Sequence, residues 1–436
     1  MKVIFNLSPL GASVKTGIYR VAEHLVCGMA EVLDQNAIFH PVDYPHGSVS
    51  YFREKLSHTK ATLIIPRIGL WLVPLSNILN SFIIGTKKNR SFAYRLARRS
   101  AWIISEYINF LLSRIDPSLI EQAQIYHSPF RTIPSQIRRN PKICRFTTIY
   151  DLIPITNPNY FEKETINLIN NLICQLDESD YTLCISGATR ETLLKHSRCR
   201  PDRSFVVPLA ASKHFHPTLD KEDNSRILAK YGIISPNYLL SLCTLEIRKN
   251  LETVVHAFKE LHDSKQIPIE TQLVLVGEKG WYSTNLEAAL AASSKYQDKI
   301  IMTGFIPEED LAAIYSNAKV FVYMSFLEGF GLPPLEAMQC GIPVITSNTS
   351  SLPEVVGDAG IMLEPTDVVG ICSAVTRMFE EPTFHAFLSK KSLDRSKYFS
   401  WDRFISDTIK YYNFALQQKN CSEPDFTTAT INRDQK

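Results

Sequence analysis

Short apolar runs alternate with amphipathic stretches along most of the chain. KVIFNL (2–7) is followed by the glycine-bearing SPLGASVKTG, then by apolar positions at helical spacing from Ile18 to about Leu33. Strand, glycine-bearing loop and helix, in that order, open an α/β unit. Further strands are predicted at QIYHSP (124–129), CRFTTIYD (144–151), YTLCIS (181–186) and SFVVPL (204–209), with helices over 161–177 and 187–196. A second series starts near 238. Its strands are NYLLSLCTL (237–245), QLVLVG (272–277), KIIMTGF (299–305), KVFVYM (319–324) and IPVITS (342–347), with helices over 250–264 and 307–317. Runs this uniformly apolar suit strands covered on both faces, and strand–helix alternation implies mainly parallel sheets. Two α/β domains are expected, over 1–216 and 226–398, divided by the charged HFHPTLDKEDNSRILAKYG. A last helix is expected over 399–418, then a polar, disordered tail over 419–436.

Residues 61–115 interrupt the first series. ATLIIPRIGLWLVPLSNILNSFIIG is apolar but broken by Pro66, Arg67 and Pro74. Its longest uncharged piece, Ile68 to Thr86, is borderline for a membrane span of about 20 residues. The following KKNRSFAYRLARRSAWIISEYINFLLSR is basic and amphipathic. From Lys55 to Ser105 there is no Asp or Glu, against nine Lys and Arg residues. Such a helix either lies on an anionic membrane surface or turns a solvated basic face outward.

Composition narrows the class. Hydrophobic content of 45% and charged content of 21% are ordinary for a soluble globular protein, and the net charge of +3 makes no case for nucleic acid. Nine scattered cysteines without a C-x-x-C pair argue against a disulfide framework or a zinc site and for a reducing compartment. The N-terminus reads as a strand, not a signal peptide. A cytoplasmic location is expected, with peripheral attachment to the inner face of the membrane as a further option.

EGFGLPPLE (328–336) is the stretch richest in chemistry. Pro333 and Pro334 can start a helix but not sit inside one, and Gly341 can end it. The loop amides and those of the first helical turn converge, which suits a phosphate. Gly329 and Gly331 allow the close backbone approach a ligand needs. Glu336, in the first turn, either complements the helix dipole or meets a ligand. Glu328 lies at a strand end, where ligands bind in α/β sheets. Arg248 and Lys249 lie between a strand and a helix start, where cations oppose the dipole; this favours a role in the strand-end crevice. Positioned cations of this kind stabilise negative charge on a phosphate.

E-x7-E after a strand, followed by AMQCGIPVITSNTSSLPEVVGDAGIMLEP, closely resembles glycosyltransferase family 4, also described as glycosyl transferases group 1. TGIYRVAEHL (16–25), YHSPF (126–130), YDLIPITNPNYF (150–161), CISGATRETLL (184–194), VVPLAASKHFHP (206–217), TLEIRKNLETVVHAF (244–258), LVLVGEKGW (273–281) and TGFIPEEDLAAIYSNAKVFVYMSFLEGFGLP extend the resemblance over nearly the whole chain. It implies the GT-B fold, two Rossmann-like domains facing across a cleft. It also implies retaining, metal-independent transfer of a hexose from a nucleotide sugar, with no cofactor.

On that resemblance Glu328 would hold sugar hydroxyls beside the Phe330 and Gly331 amides, and Glu336 the ribose. The Gly331 and Leu332 amides, with Arg248 and Lys249, would meet the diphosphate. Phe305 would contact the base through its backbone, Gly17 would face the phosphates, and Ser186 and Gly329 would complete the donor site. Thr244 stands where many members carry Arg, and Tyr150 where many carry His, so a histidine contact to the sugar does not transfer. Asp151 either binds acceptor or caps the turn before Pro154, and His127 reads as a buried, satisfied histidine. DESD (177–180) precedes a strand and offers no metal-diphosphate motif. The donor would be GDP-, UDP- or dTDP-linked, carrying a mannose-, rhamnose- or glucose-type hexose. The acceptor would be a saccharide or lipid-linked saccharide in cell-surface polysaccharide or lipopolysaccharide synthesis. A sugar-nucleotide epimerase, a phosphorylase and a non-catalytic binding subunit remain as alternatives.

Overall fold

The computed structural model describes residues 1–11, 17–40, 50–64, 115–234, 237–278 and 284–422, with a few positions between them that include 97–104 and 107–108. Residues 12–16 of the first loop, most of the 61–115 interruption, and 423–436 lie outside the described residues.

The first sheet contains β1 (Val3–Asn6), β2 (Ala37–His40), β3 (Thr62–Leu63), β4 (Ile125–Ser128), β5 (Cys144–Ile149), β6 (Tyr181–Cys184) and β7 (Ser204–Val206), in the order β3-β2-β1-β4-β5-β6-β7. The second contains β8 (Leu239–Leu242), β9 (Leu273–Val276), β10 (Ile300–Gly304), β11 (Val320–Tyr323), β12 (Val344–Ser347) and β13 (Ile361–Leu363), in the order β10-β9-β8-β11-β12-β13. All of these pairings are parallel, with Val3 opposite Ile125 in one sheet and Val320 opposite Leu239 in the other. Each sheet is doubly wound. The chain starts in the middle, runs to one edge, and returns to the other side of the first strand. The loops that leave on either side of this reversal open a crevice at the carboxyl ends of the strands.

Every residue of β1, β4, β5, β6, β9, β11 and β12 is buried. Helices on both faces account for this, and for the lack of alternation in the sequence. The edge strand β10 is only partly covered. Three strands carry no usable pattern: β3 is two residues, β13 is three, and β2 follows the first helix after one 3-10 turn.

Helix α1 (Gly17–Leu33) buries Val21, Leu25, Val26 and Met29 along one stripe. Helix α2 is Gly187–His196, α3 is Leu251–Asp263, α4 is Leu332–Gln339, α5 is Leu352–Val356, and α6 is Trp401–Ser422. The last of these lies on the first domain. Tyr412 packs edge-on to Phe146, Tyr411 stacks on Phe205 at 4.1 Å, and Trp401 stacks on His24 at 4.0 Å. His127 is buried between the hydroxyls of Tyr412 (Nδ1, 2.5 Å) and Thr148 (Nε2, 2.8 Å), and burial pushes its pKa down to about 3.

Two boundaries differ from expectation. The polar segment placed between the domains contains a helix, Lys221–Lys230, whose Asp220 cap accepts from the Glu222 and Asp223 amides. Lys230 and Tyr231, within the range expected for the second domain, both bind Asp310 of that domain, so the helix is anchored there by its C-terminal end. Helix α6 also runs past 418 to Ser422, where Lys419 Nζ reaches the Pro141 carbonyl at 2.7 Å. The DESD stretch is structural: fully buried Asp180 pairs with Arg145 at 2.6 Å and with Arg138 at 2.8 Å.

Candidate active site

Two loops of the second sheet, one after β8 and one after β11, carry the main cluster. After β8 the chain makes a 3-10 turn, Ile247–Lys249, and Asn250 enters the left-handed region at φ 52°. The Asn250 side-chain amide donates to the Met324 carbonyl at 3.0 Å and the Pro365 carbonyl at 2.7 Å. The Arg248 carbonyl accepts from the Phe326 amide at 2.8 Å. The two loops are thereby fixed to each other before any charge is considered.

Lys249 Nζ then lies 2.5 Å from Glu328 Oε1 and 2.8 Å from the Tyr323 hydroxyl, which itself donates to Oε1 at 2.7 Å. Arg248 reaches Oε2 of the same carboxylate at 3.3 Å and Glu246 at 3.0 Å. Burial would raise the Glu328 carboxyl, but Lys249 and Arg248, with their hydrogen bonds, hold it at about 2. Glu328 is thus an ionised acceptor at neutral pH and not a proton donor.

The loop between the glutamates is held by hydroxyls. Ser351 donates to the Phe330 carbonyl at 2.8 Å, and Ser350 accepts from the Glu328 amide at 3.1 Å. Phe330 turns its ring into the core, edge-on to Phe399. Gly331 caps α4 at φ 111°, and a Cβ there would also meet Leu352 at 2.7 Å. Among the described residues the amides of Gly329 to Gly331 find no acceptor within the protein.

Glu336, one turn into α4, is 6% exposed. Its Oε2 accepts from the Tyr315 hydroxyl at 2.9 Å, and its Oε1 lies 3.9 Å from Arg20 of α1 in the first domain. Arg20 also pairs with Glu308 at 3.3 Å. Burial raises the Glu336 carboxyl to about 7, against the opposing pull of Arg20 and Tyr315. Arg20, His24, Glu308, Leu332, Glu336 and Trp401 border a cleft pocket of about 340 Å³ between the domains. A larger hollow of about 630 Å³ lies between α3 and the helix Val368–Glu380, and none of these residues lines it.

Asp151, following β5, faces the cluster from the first domain. Its Oδ1 accepts from the Ile153 amide at 3.0 Å, so it does cap the turn. It also lies within electrostatic reach of Arg248, Lys249 and Glu328, and burial raises its carboxyl. Tyr150 is buried edge-on to Phe130, and its hydroxyl has no partner among the described residues.

The other expected site residues lie at the contact between the domains or on exposed loops. A Cβ on Gly329 would sit 2.5 Å from the Tyr150 carbonyl, so the absence of a side chain here lets the two domains approach each other closely. Ser186 is buried, and its hydroxyl donates to the Gly329 carbonyl at 2.7 Å. That places it at the same domain contact, next to the loop bearing Glu328. Gly17, at the start of α1, is exposed with open space around it. Thr244 and Phe305 are exposed beyond the carboxyl ends of β8 and β10, Phe305 by 68%. Sequence reasoning passed over Tyr323, Tyr315 and Arg20. The two phenols lie in apolar runs and show no local signal; Arg20 is a cation one turn into the helix after β1.

Comparison with known proteins agrees with this geometry. The family model described as glycosyl transferases group 1 matches residues 223–395. O-antigen chain mannosyltransferase B of Escherichia coli is 32% identical over 327 residues, 73% of this chain and 79% of that protein. The serotype-specific mannosyltransferase WbdA of Escherichia coli is 30% identical over 278 residues, 62% of this chain, and the match spans only 33% of that longer protein. Among solved structures, Anabaena HepE in complex with UDP and glucose superposes with a TM-score of 0.63 at 14% identity, covering 95% of this chain and 100% of that one, a likeness in fold. With the two doubly wound sheets facing across a cleft, this is the GT-B fold, and the chain belongs to the glycosyl transferases group 1 family.

Proposed function

We propose that this glycosyltransferase moves mannose from GDP-mannose to a saccharide or lipid-linked saccharide of a cell-surface polysaccharide, with retention at the anomeric carbon and without a metal. The observation that carries this reading is the buried Glu328–Lys249–Arg248 cluster at the strand-end crevice, facing Asp151. Arg248 and Lys249 offset the charge that grows on the departing diphosphate, the work a divalent ion would otherwise do. The free amides of Gly329 to Gly331, at the start of α4, add donors to the same phosphates. Glu328 accepts from the sugar hydroxyls and Glu336 from the ribose.

The bond from the anomeric carbon to the β-phosphate oxygen breaks as the acceptor oxygen bonds on the same face. The acceptor proton passes to that phosphate, so no side chain need act as nucleophile. The two mannosyltransferase relatives favour mannose over the other sugars. Trp102, Ile103, Ile104 and Tyr107 are exposed beside Arg98 and Arg99, a face suited to an anionic membrane surface. Flotation with liposomes tests that attachment, and equal recovery with and without anionic lipid contradicts it. Among the described residues no helix is long and apolar enough to cross a membrane.

Nucleotide release from GDP-mannose, UDP-glucose and dTDP-rhamnose, with octyl α-mannoside as acceptor and with or without EDTA, tests the reaction. The expected result is GDP release unaffected by EDTA and an α-linked product by NMR. Loss of activity in EDTA or a β-linked product contradicts the mechanism.

A further inference from the structure

The N-terminus of α2, in the first domain, holds a carboxylate that belongs to the second. Glu354, on the short helix α5, accepts from the Gly187 amide on Oε2 at 2.6 Å and from the Ala188 amide on Oε1 at 2.7 Å. The helix already has its own cap, since Ser186 Oγ accepts from the Thr189 amide at 3.1 Å. Glu354 therefore adds a charge-assisted, bidentate contact from outside the domain, at the end of the helix where negative charge is favoured.

The same turn grips the second domain at another point. The Ser186 hydroxyl donates to the Gly329 carbonyl at 2.7 Å, and the Thr189 hydroxyl lies between the carbonyls of Gly329 (3.3 Å) and Tyr150 (3.2 Å). Gly329 directly follows Glu328. From behind, Arg395 donates to the Glu354 carbonyl at 2.6 Å and the Val355 carbonyl at 3.1 Å, tying α5 to the helix Pro382–Ser396. Four residues of one domain, 186–189, thus meet the other at the loop bearing Glu328 and at a braced carboxylate about two dozen residues later.

We propose that Glu354 is a positioning residue for sugar transfer. Its carboxylate pins α2 to the second domain and so keeps the Glu328 loop in register with Tyr150 and Asp151 across the cleft. The inference rests on the reading of that loop as the donor site. Transfer needs donor and acceptor groups aligned closely, and small misplacements reduce the rate steeply. On that reading the donor is held mainly by Arg248, Lys249, Glu328 and Glu336 of the second domain, so its affinity is not expected to depend on the hook.

The test uses the full chain with Glu354→Gln and Glu354→Ala. It reads hydrogen exchange at Gly187 and Ala188, and kcat and KM for GDP-mannose with octyl α-mannoside, or for UDP-glucose if the wild type turns that over instead. Both variants are expected to exchange faster at these amides. Both should lose about tenfold or more in kcat, with donor KM within about twofold, and excess acetate should not rescue the alanine variant because free acetate cannot join the domains. Unchanged exchange, unchanged kcat, or rescue by acetate overturns the proposal. Glu328→Ala serves as the control for the underlying reading. If it retains wild-type turnover, the donor-site reading fails, whereas wild-type turnover in the Glu354 variants alone removes only the hook.

Discussion

Lys249→Met removes the cation on which the Glu328 carboxylate depends while keeping a similar apolar stem. The two side chains are 9% and 10% exposed, and their charged atoms lie 2.5 Å apart. Breaking a buried pair by removing one partner destabilises by about 3–5 kcal/mol. Arg248 remains 3.3 Å from the other oxygen, which places the expected loss at the lower end, about 3 kcal/mol. The titration agrees in direction: Lys249 and Arg248 together hold Glu328 at about 2 against an ordinary 4.5, in opposition to its burial. The sign follows from linkage. A depressed carboxylate contributes stability above its ordinary value, and loses it as pH falls from about 4.5 to about 2. In the variant, burial dominates, the carboxyl takes up its proton at higher pH, and the strain of burying the charge is relieved on acidification. Urea unfolding of both proteins, at neutral pH and near pH 4.5, is the assay. The gap should be widest at neutral pH and narrow toward acid. A gap under about 1 kcal/mol at neutral pH, or one that does not narrow, refutes the reasoning.

Other outcomes follow from the same geometry. Glu336 is raised to about 7 from 4.5, so its buried neutral form favours folding below 4.5 and this advantage is lost as pH rises through 7. Glu336→Gln should therefore gain stability relative to wild type by about 3 kcal/mol between acid and alkaline pH, while binding GDP more weakly; calorimetric unfolding and GDP titration across pH check both. Gly329→Ala should separate the domains at the Tyr150 carbonyl, lowering stability by about 1–3 kcal/mol and transfer far more, as measured by urea unfolding and GDP release. Arg20→Met should shift the pH dependence of GDP affinity upward, because Arg20 helps keep Glu336 ionised against burial and the nearby Glu308; an unchanged pH profile counts against that link.

Much of this molecule was legible in its sequence, for physical reasons. Strands buried on both faces leave uniform apolar runs, and VFVY, LVLV and YTLC were found on that basis. Two prolines after a glycine marked the start of α4, and Arg248 and Lys249 stood out because cations at a helix start need another purpose. Information carried by long-range contacts was not legible. That Gly329 also packs against a carbonyl from the other domain has no trace in the local sequence. Ser186 and Glu354, the latter one acid in a short helix, both bond to partners more than a hundred residues away. Residues 217–225 fall between the two expected domains because they are charged, although the helix Lys221–Lys230 that begins there buries Asn224 and Leu228.

If the Glu328 cluster carries sugar transfer, the rate of the Glu328→Ala protein with GDP-mannose and octyl α-mannoside will show it. Transfer is expected to fall by about a hundredfold or more, while GDP still binds within a few-fold of wild type through Glu336 and the loop amides. Transfer at the wild-type rate would mean that the cluster does not carry the reaction.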